Sequence, residues 1–236
     1  MANVRYLSVT QVRIFESEVL PAGFARMPIA SSTLQQKFMF QQTTPAGPPI
    51  SLDPSGALLL NNGEHEYQGR HYAVPQLLLE SRRIVLIYLG PSAAANAMID
   101  EVIEIVKAID QFGKDKNYAP LILTEETSTV VKFDVPFAKL FSSGLIGTLQ
   151  KNLDRYIDSP SAKVNLIPNS VKIRVSYTNI DDRLIKNGIQ INDKELQIEL
   201  RNQTDPAEGI FFIKSPNSSD KHNELVEYLE KTLQQA

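Results

Sequence analysis

The stretch NNGEHEYQGRHYAV, residues 61–74, gathers the side chains best suited to chemistry. It holds His65 and His71, two of the three histidines in the chain, with Glu64, Glu66, Tyr67, Arg70 and Tyr72 around them. Imidazole is the commonest metal ligand and the side chain that titrates nearest neutrality. A metal site needs three or four convergent donors, and this stretch offers two imidazoles. Nor is their spacing that of His-Glu-x-x-His, which stacks two imidazoles on one helical turn. Gly63, Gly69 and the polar run argue for a strand. With a tight turn at Asn62-Gly63, both histidines take the same parity of the following strand, about 20 Å apart along it. A bulge at Gly69 would shorten that distance. The expectation is a polar hairpin without metal or cofactor. His65, Tyr67, Arg70 and His71 are its candidate ligand-binding residues.

Arg82 and Arg83 join that candidate set, because guanidinium forks match carboxylate and phosphate. The competing expectation is an edge-facing charge and an ion pair with Glu80. LGPSAAANA (89–97) is a strand-to-helix turn, but it lacks Gly-x-Gly-x-x-Gly and a phosphate-loop lysine. Its alanines fit close helix–sheet packing. No serine stands in Gly-x-Ser-x-Gly. Asp181-Asp182 and Glu125-Glu126 are adjacent pairs whose members face opposite ways on an extended chain. No catalytic residue is therefore assigned. His222, at the start of the last helix, is expected to be exposed.

The elements that must position these residues follow from pattern. The chain has 236 residues, 42% of them hydrophobic and 22% charged, enough for a core in one large or two small domains. Its formal net charge of −3 lacks the basic excess that drives sequence-independent nucleic-acid binding. The absence of cysteine excludes disulfides, thiolate zinc sites and thiol nucleophiles. No apolar run reaches the length of a membrane span, and the start of the chain alternates like a strand instead of reading as a signal peptide. A cytoplasmic location is expected, with no membrane partner.

Residues 4–19 read as a long strand and LQQKFMFQQ (34–42) as a second, with Leu34, Phe38 and Phe40 inward. TTPAGPPISLDPSG (43–56) is a proline-rich loop or arm. ALLLNN, HYAV, QLLLES and RRIVLIYLG supply further strand material. SAAANAMIDEVIEIVKAIDQFG (92–113) is the clearest helix, with Ser92 as its cap. STVVKFDV, KVNLI, VKIRVSY, a hairpin over 188–201 and GIFFIKS are strands. Helices are expected over 142–160 and from SSDKHNELVEYLEKTLQQA. The inner face of the latter is assigned to Leu225, Tyr228, Leu229, Thr232 and Leu233.

One order recurs. LLLESRRIVLIYLGPSAAANAMIDEVIEIVKAID and LQIELRNQTDPAEGIFFIKSPNSSDKHNELVEYLEKTLQQ each run strand, turn, apolar strand, short Pro-Ser or Pro-Asn-Ser link and amphipathic helix. The expected class is α+β, with two β-rich halves at 1–113 and 121–236 and a linker at 114–120. Each half would be a mainly antiparallel sheet packed by one or two helices, and the pair raises an internal duplication. The favoured function is a non-catalytic binding, scaffold or assembly protein with protein partners, self-association included. The alternatives are a small-ligand or metal protein or an enzyme using the 61–72 hairpin, and a nucleic-acid-associated protein with a local basic face.

Overall fold

The computed structural model describes residues 3–15, 28–41, 57–109, 118–134, 137–141, 169–176, 182, 186, 193–201, 204–205 and 208–235. The strands are β1 (Asn3–Ile14), β2 (Leu58–Tyr67), β3 (Arg70–Glu80), β4 (Arg83–Tyr88), β5 (Ile122–Lys132), β6 (Ser170–Val175), β7 (Lys194–Leu200) and β8 (Ile210–Ser215). The helices are α1 (Pro28–Phe38), α2 (Ser92–Ile109) and α3 (Ser219–Gln235), with a short 3-10 turn at Phe137–Leu140. The mixed α+β class holds. Among the described residues the strands do not form two sheets: all eight join one antiparallel sheet in the order β2-β3-β4-β1-β5-β8-β7-β6. The joint is the ladder between β1 and β5, which runs from Asn3↔Lys132 to Ile14↔Ile122.

Read inward from either edge, the order is the second, third, fourth and first strand of a set of four. Val9 faces Thr127 across the central ladder, so the two side chains share one face. That face also carries α2 and α3. Ala94, Ala95, Met98, Ile99, Val102 and Val106 of α2 pack on Leu77, Leu79, Ile84, Leu86 and Tyr88. Val226 and Leu233 of α3 pack on Val131, Ile198, Phe211 and Ile213. Between these two apolar clusters runs a band of buried polar side chains: Gln11, Arg13, Thr127, Thr129, Ser215 and His222.

Residues 34–38 lie in α1, not in a strand. Leu34 and Phe38 are both buried, and a spacing of four satisfies the strand period and the helix period alike. The helix ends at Met39, which takes a left-handed φ of 51°. The Phe40 amide then donates back to the Gln35 carbonyl at 3.1 Å, a Schellman-type closure. That turn returns Phe40 to the core.

The hairpin turn also sits elsewhere than the Asn-Gly pair suggests. β2 runs straight through Asn62-Gly63 and turns at Gln68-Gly69, whose φ values of 52° and 73° are those of a two-residue type I′ turn. Asn62, at φ 55°, instead shifts the alternation. The buried positions are Leu60, then Gly63 and His65 on β2, and Leu79, Leu77, then Val74 on β3. A Cβ on Gly63 would stand 2.5 Å from the Phe40 ring, so glycine is what lets that ring close over the strand.

On α3 the inner stripe is His222, Val226 and Leu233, with Leu225 and Leu229 half-buried. Tyr228, assigned to the inner face by pattern, is 66% exposed, and Thr232 is exposed too. The expected helix over 142–160, the strand at 163–167, the arm at 43–56 and residues 188–192 of the expected hairpin lie outside the described residues.

Candidate functional site

His65 is the residue around which the first cluster is built. Moving the turn to Gln68-Gly69 pairs His65 with Tyr72 and Glu66 with His71. The two histidines therefore point to opposite faces of neighbouring strands, not to one side of a single strand. His65 is buried at 3% exposure on the helix face, and His71 is exposed on the other.

The His65 ring makes two hydrogen bonds. Nδ1 lies 2.9 Å from the Tyr88 hydroxyl, and Nε2 lies 3.2 Å from Glu101 Oε1. A carboxylate only accepts, so Nε2 carries a proton toward Glu101; in a neutral ring Nδ1 then accepts from the Tyr88 O–H. Glu101 Oε2 in turn meets Lys37 Nζ at 3.1 Å. A chain of polar groups thus runs from the buried end of β4, across β2, to the cleft between α1 and α2. Aromatic rings enclose it: Phe38 lies 5.9 Å from His65 edge-on, Tyr88 5.8 Å, and Tyr72 5.6 Å from Tyr88. The cleft has a volume of about 620 Å³ and is lined by Thr33, Lys37, Asp100, Glu101, Glu104 and Ile105 among others.

The electrostatics of this chain favour a strut over a proton relay. Burial pushes the Tyr88 phenol well above the usual phenol range, and Tyr72, Glu101 and Tyr67 add to the rise. A general acid or base works best with a pKa near the operating pH, and Tyr88 is held far from it. Burial tends to raise Glu101, but hydrogen bonds from Lys37 and His65 outweigh it and leave the carboxyl below its ordinary value.

The remaining sequence candidates do not converge on His65. Tyr67 is half-buried beside it, with its ring stacked at 6.5 Å. Arg70 is exposed at the start of β3, opposite Tyr67. Arg82 and Arg83 lie at the other end of β3, about 35 Å away at strand rise. Arg83 forms a two-pronged pair with Glu80 at 2.5 and 2.7 Å. Arg82 points Nε and Nη2 at the Phe15 carbonyl, each at 3.4 Å.

Two further clusters escaped the sequence reading. His222 is fully buried, not exposed as its position suggested. Its Nε2 lies 2.8 Å from the Thr129 hydroxyl and its Nδ1 2.7 Å from the Ser215 hydroxyl. Burial pushes its pKa down to about 4, so the ring is neutral at ordinary pH. A serine beside an imidazole suggests a nucleophile and its base, yet all three side chains have essentially no solvent exposure. No substrate carbonyl can reach them in this arrangement.

The other cluster surrounds Arg13. Its Nη1 meets Asp100 Oδ1 at 2.6 Å, and its Nη2 donates to the Asn96 side-chain and backbone oxygens at 2.8 and 3.2 Å. Gln11 Nε2 donates to Asn96 Oδ1 at 2.9 Å and to Glu125 Oε1 at 2.6 Å. This network ties β1 and β5 to α2. Parity along β1 places Gln11 and Arg13 on the helix face, but nothing in sequence names Asn96 or Asp100 as their partners.

Among the described residues, no group of three or more His, Asp or Glu side chains is placed to hold a metal ion. No helix of the described residues is long and apolar enough to cross a membrane. No model of a known protein family and no curated protein sequence matches the chain.

Proposed function

We propose that the protein acts by binding, as a scaffold or assembly protein made of two halves of one design at residues 1–113 and 121–236. The observation that carries the reading is the engagement of both buried imidazoles. Each has both ring nitrogens held by groups of the fold itself, His65 by Tyr88 and Glu101 and His222 by Thr129 and Ser215. These two imidazoles are committed to holding helices on the sheet, while His71, the third, is exposed.

Register supports the two halves. Ser92 and Ser219 each open a helix, and taking them as equivalents maps Arg83–Tyr88 onto Ile210–Ser215. Tyr88 pairs with Val9, and Ser215 pairs with Thr127. Val9 and Thr127 pair with each other. A two-fold axis normal to an antiparallel sheet must pass through a pair whose members are equivalent, and these two meet that condition. The connection between the paired strands is two residues in the first half and nine in the second, as the sequence pattern has it.

The contact surfaces we assign are the edges of the sheet and the 61–72 hairpin. Cross-linking in the cell, followed by mass spectrometry, tests this. Cross-links from Lys172 and Lys194 to other polypeptides are the expected result. Their absence, together with a small molecule whose stabilising effect is lost in Glu101→Gln, would move the function to the cleft between α1 and α2.

A further inference from the structure

The two edges of the sheet carry opposite charge on the same face. On β2, His65 is buried and Tyr67 half-buried on the helix face, so alternation turns Glu64 and Glu66 to the other face, where both are exposed. On β6, Val171 packs on the α3 cluster and pairs with buried Ile198, so Lys172 and Arg174 turn to that same face, also exposed. Among the described residues, β2 meets on its outer side only the bridge from Gln41 to Asn61, and β6 meets no strand on its outer side.

We propose that the β2 edge of one copy pairs with the β6 edge of a second copy, extending the sheet from molecule to molecule. The proposal rests on the binding reading above and names its partner. Three features carry it. First, the sheet has eight alternating strands, so β2 and β6 run in opposite directions, and a copy shifted along the sheet brings its β2 antiparallel to β6 with the same face up. Secondly, both charged pairs have a spacing of two residues, so Glu64 can face Arg174 while Glu66 faces Lys172 in one register. In that register Tyr67 falls beside Val171 and His65 beside Ile173, a side chain otherwise 49% exposed. Thirdly, the charges select against other pairings. An acidic edge repels an acidic edge, and a basic edge repels a basic one. Arg174 already holds Asp193 at 2.5 Å, so Lys172 is the cation with no partner among the described residues. A contact between two different surfaces repeats unless its rotation closes a ring.

The test uses the purified full chain in sedimentation velocity at several concentrations and two salt levels. The expected result is a sedimentation coefficient that rises with concentration at low salt and falls back near 1 M salt, where screening acts within about 3 Å. Lys172→Glu and Glu66→Lys should each abolish the rise without lowering the melting temperature, because both side chains are exposed. The double variant with both changes should restore it. A chain that stays monomeric at every concentration overturns the proposal, as does a double variant that fails to reassociate while folded. If the purified chain is monomeric but cross-links to other proteins in the cell persist, the binding reading stands and only self-pairing falls.

Discussion

Ser92 and Ser219 hold each other's helices: the Ser92 amide donates to the Ser219 hydroxyl at 3.0 Å, and the Ser219 amide donates to the Ser92 hydroxyl at 2.8 Å. A serine that opens a helix commonly bonds an amide of its own first turn. Here each hydroxyl serves the other helix, and both serines are buried.

Ser92→Ala and Ser219→Ala should therefore each leave one buried amide without an acceptor, at a cost of about 1–3 kcal/mol. The two costs should not add, because each bond depends on the approach that the other fixes. Urea unfolding of both single variants and the double checks this. Additive costs would mean that the helix starts are positioned independently.

Tyr88→Phe and Glu101→Gln separate burial from charge in the His65 chain. Tyr88→Phe removes the buried partner of Nδ1 and should cost about 1–3 kcal/mol. Glu101→Gln keeps an acceptor for Nε2 and gives up a partly exposed pair with Lys37, so it should cost less than about 1 kcal/mol. The reverse order in urea midpoints would assign the load to the Glu101 charge.

Acid should destabilise the protein through His222. Its folded pKa, about 4, lies below the ordinary histidine value, so the unfolded chain binds the proton more readily. The stability it contributes is full above about pH 6.5 and is lost as pH falls toward 4, by about 3 kcal/mol in all. Glu101 acts with the same sign at lower pH, since its folded pKa is also depressed. In His222→Gln the fall between pH 6.5 and 4 should shrink. A fall of equal size in both proteins would remove His222 from the account.

Two glycines on one hairpin should respond differently to alanine. At Gly63 a Cβ meets the Phe40 ring at 2.5 Å and the Phe38 carbonyl at 2.8 Å. Overpacking of that kind costs about 1–3 kcal/mol and should loosen residues 38–41. At Gly69 nothing lies within 4 Å, so only its φ of 73° resists, at about 1–2 kcal/mol. Hydrogen exchange at Phe40 and Gln41 should rise in Gly63→Ala and stay unchanged in Gly69→Ala.

The legible parts of the sequence were those with one dominant period. IVLIYL fixed β4 as an inner strand, and Ile99, Val102 and Val106 fixed α2. Leu34 and Phe38 fit two periods, and only Met39 turning left-handed separates them. Asn62-Gly63 supplied the residue types of a tight turn but serves inside a strand, so the face of His71 came out reversed. His222 was misplaced because an imidazole on a helix is usually solvated, and its hydroxyl partners come from β5 and β8. Nothing local could show that β1 and β5 would fuse the sheets, because that ladder joins segments distant in sequence.

That same ladder bears on how the chain reaches its fold. β1 gains its neighbour β4 within the first ninety residues, but its other side stays unfilled until β5 has been made. At synthesis rates of about 5–20 residues per second, the strand that will lie at the centre of the finished sheet spends seconds as an edge. Pairing across so long a separation also carries the largest loop-closure cost. Gln11 and Arg13 suit that interval: during it, the inner strand presents polar side chains beside Val9 and Val12, which is a protection against misassociation written into what becomes the middle of the protein.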